Sequence, residues 1–376
     1  MTVRLFEHFT SLKDPRVERT KLHTLLDIVA ITICGVLCGA DGWDDIYFYA
    51  CSLETWYRTF LPLDNGIPSS DTIRRVISAI PPDQFHACFL SWVQSIARHI
   101  PKSGIAIDGK TVCSACSPDD PKSILHIVSA WSHAQHLVLA EQKVAEKSNE
   151  ITAIPELLKL LVLEGCIVTI DAMGCQKKIV REIVAKKAGY AIVVKENQEY
   201  LHKAIMETFQ ARQSADTASN VATYTSEGVA HGRYERRTYS ITDDLSHITT
   251  RDDWAGLTRI GAVTCERSMQ GVYQQETRYY ILCRVETAEK LAEVSRGHWG
   301  IENSVHWSLD VTFHEDNIRI YNGYGAENLA TVRKIALNAL KQEKTRTLSL
   351  KNKRALCAMN SEYLMRVLEC AVNEDK

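Results

Sequence analysis

What the chain lacks sets its first limits. Its 376 residues carry 44 Lys and Arg against 46 Asp and Glu, a formal net charge of -2. No excess of either sign therefore draws the whole molecule to nucleic acid, and any DNA contact has to come from local basic clusters facing one way. There is no internal repeat and no low-complexity segment. No apolar run has the length of a membrane span: Leu25 to Ala40 is short for one and carries Asp27 near its start, so it reads as a buried helix. Neither a secretory leader nor an anchoring signal is read, which makes the cytoplasm the expected compartment. The 12 cysteines are then expected to stay reduced and to act as small hydrophobes. The single Cys-x-x-Cys, Cys113 to Cys116, has no second pair at zinc-ribbon spacing and is expected to be structural.

What is present divides the chain. Its length is too great for one ordinary core and predicts two or three packed units. Residues 1–100 read as helical. Thr24 can cap Leu25 to Cys38, with Asp27 favouring the positive helix end. Asp44 to Leu61 gives a second helix, Ser69 and its neighbours open a third, and Pro81-Pro82 stops it. Phe85, Phe89, Trp92, Val93 and Ile96 recur at helical spacing, a stripe better explained as core than as a ligand site. Arg74 and Arg75 near the start of the third helix make it a weak candidate for a DNA recognition helix.

From Ser103 the period changes. Gly104 to Val112, Ile124 to Ser132 and Leu137 to Ala145 read as three successive strands. A helix from Ile151 to Gly165, a strand ending at Asp171, a basic helix from Gln176 to Ala188 and a strand from Tyr190 to Lys195 follow. This order predicts an α/β chain with a ribonuclease-H-like mixed sheet over residues 101–345. A β-rich insertion is expected at about 211–288, with strand-like pieces Arg237 to Ile241, Leu257 to Glu266 and Thr277 to Val285. Helical spacing resumes from Ala288 to about Asp310 and again from Ala326 to Lys341. Residues 346–376 read as a basic tail.

Two strands carry the chemistry. Gly104-Ile-Ala-Ile-Asp108-Gly-Lys-Thr and Cys166-Ile-Val-Thr-Ile-Asp171-Ala-Met are runs of small and β-branched residues that each deliver one carboxylate. Burying an unpaired carboxylate costs several kcal/mol, so a site that uses negative charge explains them. Phosphoryl transfer on DNA commonly uses two divalent cations, and magnesium prefers carboxylate oxygens and water. A third acid has to come from Glu302, Asp310, Glu315 or Asp316. Glu302 is preferred because its helical stretch is otherwise apolar and aromatic, with Trp299 and Trp307, whereas the other three read as solvated acids near a helix end. A competing zinc arrangement of His298, Glu302 and His306 on one helix face lacks the His-Glu-x-x-His spacing of zinc hydrolases.

Four stretches resemble one family. They are Ile107-Asp108-Gly109-Lys110-Thr111; Lys147-Ser148-Asn149-Glu150-Ile151; Asp171-Ala172-Met173-Gly174-Cys175-Gln176; and His298-Trp299 with Ile301-Glu302-Asn303, His306-Trp307 and Leu309-Asp310-Val311. Asp14-Pro15-Arg16, Gly39-Ala40-Asp41-Gly42-Trp43 and His231-Gly232-Arg233 add to them. Together they resemble insertion-sequence transposases of the DDE class, specifically the H-repeat-associated family. The resemblance implies Asp108, Asp171 and Glu302 as ligands of Mg2+, for which Mn2+ substitutes. It also implies cleavage at the element's 3′ ends followed by strand transfer, with the terminal inverted repeats and target DNA as partners and a homodimer on DNA. The family's arginine four residues before the glutamate is His298 here, the nearest arginine being Arg296. The lysine seven residues beyond is Leu309, a place that His306 or an insertion residue has to fill. Lys195, Arg233, Arg237, Arg296 and His306 are the candidate DNA contacts. Asn149 and Glu150 read as the cap of the following helix. A transposase-derived DNA-binding protein that no longer transposes, or a host nuclease of the same fold, remains the alternative.

Overall fold

The computed structural model describes residues 3–97, 103–112, 125–145, 148–214, 221–230, 233–269, 272–317, 320 and 323–370. Cys113, Cys116, Lys147, His231 and Gly232 lie outside them.

The N-terminal part is helical: α1 (Leu25–Leu37), α2 (Trp43–Ser52), α3 (Ser70–Ala79) and α4 (Pro82–Ile96). Thr24 and Asp27 form the expected capping box on α1, with the Asp27 N–H donating to Thr24 Oγ1 at 3.1 Å. The second helix is shorter than its aromatic pattern predicts. It ends at Ser52, and a separate turn spans Glu54–Tyr57. Ser69 caps α3, and the predicted stripe Phe85, Phe89, Trp92, Val93 and Ile96 is buried. Arg74 and Arg75 both pair with Asp71, at 2.5 and 2.9 Å.

A nine-stranded sheet follows, in the order β3-β2-β1-β4-β5-β9-β8-β7-β6. Its first half is the expected ribonuclease-H-like one: β1 (Gly104–Val112), β2 (Leu125–Ser132) and β3 (Leu137–Lys143) are antiparallel, and β4 (Ile167–Ile170) and β5 (Gly189–Val194) run parallel to β1. Helices α5 (Glu150–Lys159) and α6 (Lys177–Ala185) make the crossovers, as parallel neighbours require. Beyond α7 (Glu199–Ser214), strands β6 (Ala222–Ala230), β7 (Arg233–Thr242), β8 (Arg259–Met269) and β9 (Val272–Cys283) form a meander. It continues the same sheet, because β9 pairs antiparallel with β5.

Helix α8 (Ala288–Ile301) packs on this sheet and runs into a π turn over Glu302–His306 and a last helical turn, Trp307–Val311. Helix α9 (Gly325–Gln342) is buried along most of its length. Its Asn338 side chain pairs with both backbone groups of Val138 at 2.9 Å, covering the edge strand β3. Among the described residues, no helix is long and apolar enough to cross a membrane.

The stretch expected as a basic tail is instead two packed helices, α10 (Leu350–Met359) and α11 (Ser361–Cys370). Several of its cations, and those of α9, point inward. Lys334 pairs with Glu141 and Lys353 with Glu343. Lys341 donates to the Ser304 carbonyl at 2.8 Å, and burial pulls its pKa down to about 8. The Arg354 guanidinium donates to the carbonyls of Val36 and Ala40 at the end of α1, and also to that of Thr312. It thereby satisfies helix-end acceptors that would otherwise be orphaned.

Candidate active site

The parallel register of β1 and β4 builds the centre. Ile107 stands opposite Ile170 where the β1–β4 pairing ends, so Asp108, midway along β1, and Asp171, just past β4, come next to each other. Asp171 also caps the turn Ala172–Gly174 by accepting the Gly174 N–H at 3.3 Å. Burial pushes the Asp108 carboxyl up to about 7, and the negative charges of Asp171, Glu150 and Glu302 add to the rise. Burial raises Asp171 as well, with Glu150 adding to it and Lys195 opposing it. Asp108 thus feels the charges of Asp171, Glu150 and Glu302, and Lys195, exposed just after β5, acts on Asp171.

Glu150, expected only as a helix cap, adds a further carboxylate here. At the first position of α5, its Oε1 lies 2.1 Å from where a Cβ on Gly109 would stand, so only glycine there lets the carboxylate come this close to β1. It bonds to His126 Nε2 at 2.7 Å, and His126 Nδ1 meets Thr111 Oγ1 at 2.9 Å. Asn149 occupies the N-cap position without a side-chain cap bond, which corrects the capping reading of this pair.

Glu302 arrives from the other side, at the start of the π turn. Such wide turns within helices are frequent at functional sites. Helix α8 reaches the sheet because Gly297 has no side chain: a Cβ there would lie 1.0 Å from the His133 ring. His298 Nδ1 meets Thr169 Oγ1 at 3.1 Å, and His306 Nδ1 stands 3.6 Å from Asp108 Oδ2. Burial holds both His298 and His306 down at about 4. At neutral pH His306 is therefore uncharged, and a phosphate would meet it through a hydrogen bond, not a cation. The two rings serve different partners, which leaves the zinc arrangement with Glu302 without support.

The other candidate acids have another task. Lys110, two residues beyond Asp108 on the same strand face, pairs with Asp310, Glu315 and Asp316 at 2.8, 3.0 and 3.4 Å. Glu315 is fully buried, contrary to its reading as a solvated acid. Arg237 and Arg296 line a pocket beside Trp299. Arg233 begins β7, but its side chain lies outside the described structure.

Among the described residues, no three His, Cys, Asp or Glu side chains already stand at metal-ligand spacing. The donor set nevertheless suits a hard divalent cation: all its atoms are carboxylate oxygens on two strands and two helix ends, and Lys195, acting on Asp171, offsets their charge only in part.

The buried histidines give a test of this packing. Burial lowers His133 to about 4, as it does His298. A histidine kept neutral in the folded chain adds stability that is whole above about pH 6.5 and is lost as the pH falls toward 4, because only the unfolded chain takes up the proton. Between pH 7 and pH 5 each ring should remove roughly 2 kcal/mol of unfolding free energy. Urea titrations should show this loss in the wild type and a shallower one in His298→Gln. Equal slopes would contradict the burial of that ring.

Comparison with known proteins places nearly the whole chain in one family. A family model described as "Transposase DDE domain" matches residues 99–339, and one described as "DDE_Tnp_1-associated" matches residues 6–93. The chain is 38% identical over 372 residues to the "H repeat-associated putative transposase YhhI" of Escherichia coli K12, covering 97% of each. It is 37% identical over 371 residues to the "Putative transposase YncI" of Escherichia coli O157:H7, covering 97% of this chain and 94% of the relative. With a ribonuclease-H-like sheet beneath Asp108 and Asp171 and these matches along nearly its whole length, the chain belongs to the DDE transposase family, alongside relatives named as H-repeat-associated.

Proposed function

We propose that this transposase cuts DNA at the 3′ ends of its own element and joins those ends to target DNA, using Asp108, Asp171 and Glu302 to hold Mg2+, with Mn2+ able to substitute. One observation carries the reading: the pairing of β1 with β4 brings Asp108 and Asp171 out beside each other, where burial first, and then the charges of Asp171, Glu150 and Glu302, push the Asp108 carboxyl up to about 7, a cost that a divalent cation would relieve. When bound, the cations activate the attacking oxygen and steady the leaving one.

The chain's own residues do the rest. Asp108, midway along β1, and Asp171, just past the end of β4, are held by paired strands and keep their spacing rigidly, whereas Glu302, on a π turn, can adjust by a small rotation. Lys195, Arg233, Arg237 and Arg296 meet DNA phosphates and set affinity and salt dependence. His306, 3.6 Å from Asp108 and uncharged, meets a phosphate oxygen through a hydrogen bond without adding charge. Two element ends are joined in one reaction, so the working form on DNA is a homodimer binding the terminal inverted repeats.

The test is a cleavage and joining assay on labelled DNA from the gene's own flanks, with Mg2+, with Mn2+ and with a chelator. The expected result is 3′-end cutting and joined products in either metal and neither with chelator. Binding without cutting in both metals would overturn the reading and favour a DNA-binding descendant of a transposase. Cutting that never yields joined products would point to a nuclease.

A further inference from the structure

The sheet register assembles a second feature beside the acidic centre. Arg237 pairs with Cys265 and Cys265 with Glu276, while Val263 pairs with Arg278. Side chains two apart on a strand share a face, so Arg237 on β7, Arg267 on β8 and Arg278 on β9 all point the same way. That face meets α8, and with Arg296 and Trp299 it encloses a pocket of about 40 Å³.

Charge in this pocket is unbalanced. Glu235 serves Arg237 at 2.8 Å and Arg267 at 3.2 Å, and Glu276 serves Arg278 at 2.7 Å. Arg296 is exposed. Four guanidinium groups thus share two carboxylates. The Arg278 and Arg237 guanidinium carbons lie 5.0 and 5.9 Å from the centroid of the Trp299 ring. Stacking on an aromatic ring fixes a guanidinium in one orientation and leaves its N–H edge to bind an oxyanion. With two guanidiniums near it, the indole supports cations. The space is small and partly open to solvent, which suits a compact anionic group entering from outside. Arg278 also feels the Glu302 charge directly, so the pocket adjoins the acidic centre.

We propose that this pocket binds a backbone phosphate of the DNA strand passing Glu302, with Arg278 and Arg296 gripping its oxygens and Trp299 holding Arg278 in place. The inference deepens the proposed function and rests on the chain acting on DNA. It assigns a role to Arg278, for which the motifs gave no signal because it follows a run of exposed residues in β9, and a task to Trp299, which the His298-Trp299 stretch had marked.

The test measures binding apart from cutting. A labelled short oligothymidylate and its neutral methylphosphonate counterpart are titrated by fluorescence anisotropy at several salt concentrations. Arg278→Gln is expected to weaken oligothymidylate binding about tenfold and to make the salt slope shallower by roughly one phosphate contact. Arg278→Lys should keep the slope while losing part of the affinity, because an ammonium cannot make the forked contact. Trp299→Leu should lose affinity with the slope intact, and the neutral probe should not distinguish the Arg278→Gln variant from wild type. Thermal melts establish that each variant is folded.

Binding by Arg278→Gln within twofold of wild type at an unchanged slope would overturn the proposal, as would a wild type that does not bind oligothymidylate. An equal effect on the neutral probe would also overturn it, because the contact would then be to a base. The cutting assay is scored separately: normal phosphate binding with no cutting would remove the catalytic reading and leave the pocket standing.

Discussion

Asp108→Asn is expected to reduce strand cutting by roughly a thousandfold or more, the scale on which removal of one member of a catalytic set acts, and at the same time to make the metal-free protein more stable. Both effects have one cause. The wild-type carboxylate is buried among three other carboxylates and is pushed up to about 7. A carboxyl raised this far is tolerated when protonated and costs stability when ionised, so the cost enters as the pH rises from near 4 through about 7. At pH 8 it is on the order of 2–4 kcal/mol, the lower part of that range allowing for the solvent that still reaches the group. Asparagine has the same shape and never ionises. In chelator, the variant and wild type should therefore unfold with similar free energies near pH 4 and diverge in the variant's favour by pH 8. A variant that is inactive because it is misfolded would melt earlier, not later. Equal stability of the two proteins at pH 8 would show that the four acids do not repel one another as described.

Much of this centre was legible in the sequence because strands announce themselves. Gly104 to Ile107 and Cys166 to Ile170 are too apolar and β-branched to be surface, and an acid directly after each has no packing use. Parallel pairing then puts the two acids side by side. Other features left no local trace. Strand β6 is largely exposed and rich in Thr and Ser, so it lacks the alternation that marks a half-buried strand, and its backbone pairing with β7 alone defines it. A π turn is a change of hydrogen-bond partner along the backbone, and nothing about Glu302–His306 as residues signals it. Glu150 looked like a cap because its contacts, with His126 and the edge of Gly109, lie far away in the chain. The basic C-terminal stretch looked solvated for the same reason: the acceptors that bury Lys334 and Arg354 come from β3 and from the end of α1.

Glu141→Ala is expected to be the most damaging single change away from the acidic centre. Glu141 on β3 and Lys334 on α9 are both buried, with Nζ and Oε2 2.5 Å apart, and Thr331 Oγ1 donates to the other carboxylate oxygen at 2.5 Å. Burial alone would raise the Glu141 carboxyl, but Lys334, His86 and Thr331 together outweigh it and hold it below the usual range. Removing one partner leaves the other charge stranded in a medium that cannot solvate it, a loss of about 3–5 kcal/mol. Lys334→Met should cost a comparable amount by stranding the carboxylate. The double variant Glu141→Leu with Lys334→Met should recover most of the loss, because apolar replacement of a whole buried pair is often neutral or better. Urea unfolding of the three proteins checks the cycle, and a cost below about 1 kcal/mol for Glu141→Ala would mean that water reaches the ammonium through the cleft lined by His86 and Gln142. The consequence extends to catalysis, since α9 also carries Lys341, whose bond to the Ser304 carbonyl steadies the π turn that presents Glu302. Loosening α9 from β3 should therefore lower the temperature at which DNA cutting fails, in step with the melt, while leaving the metal requirement unchanged.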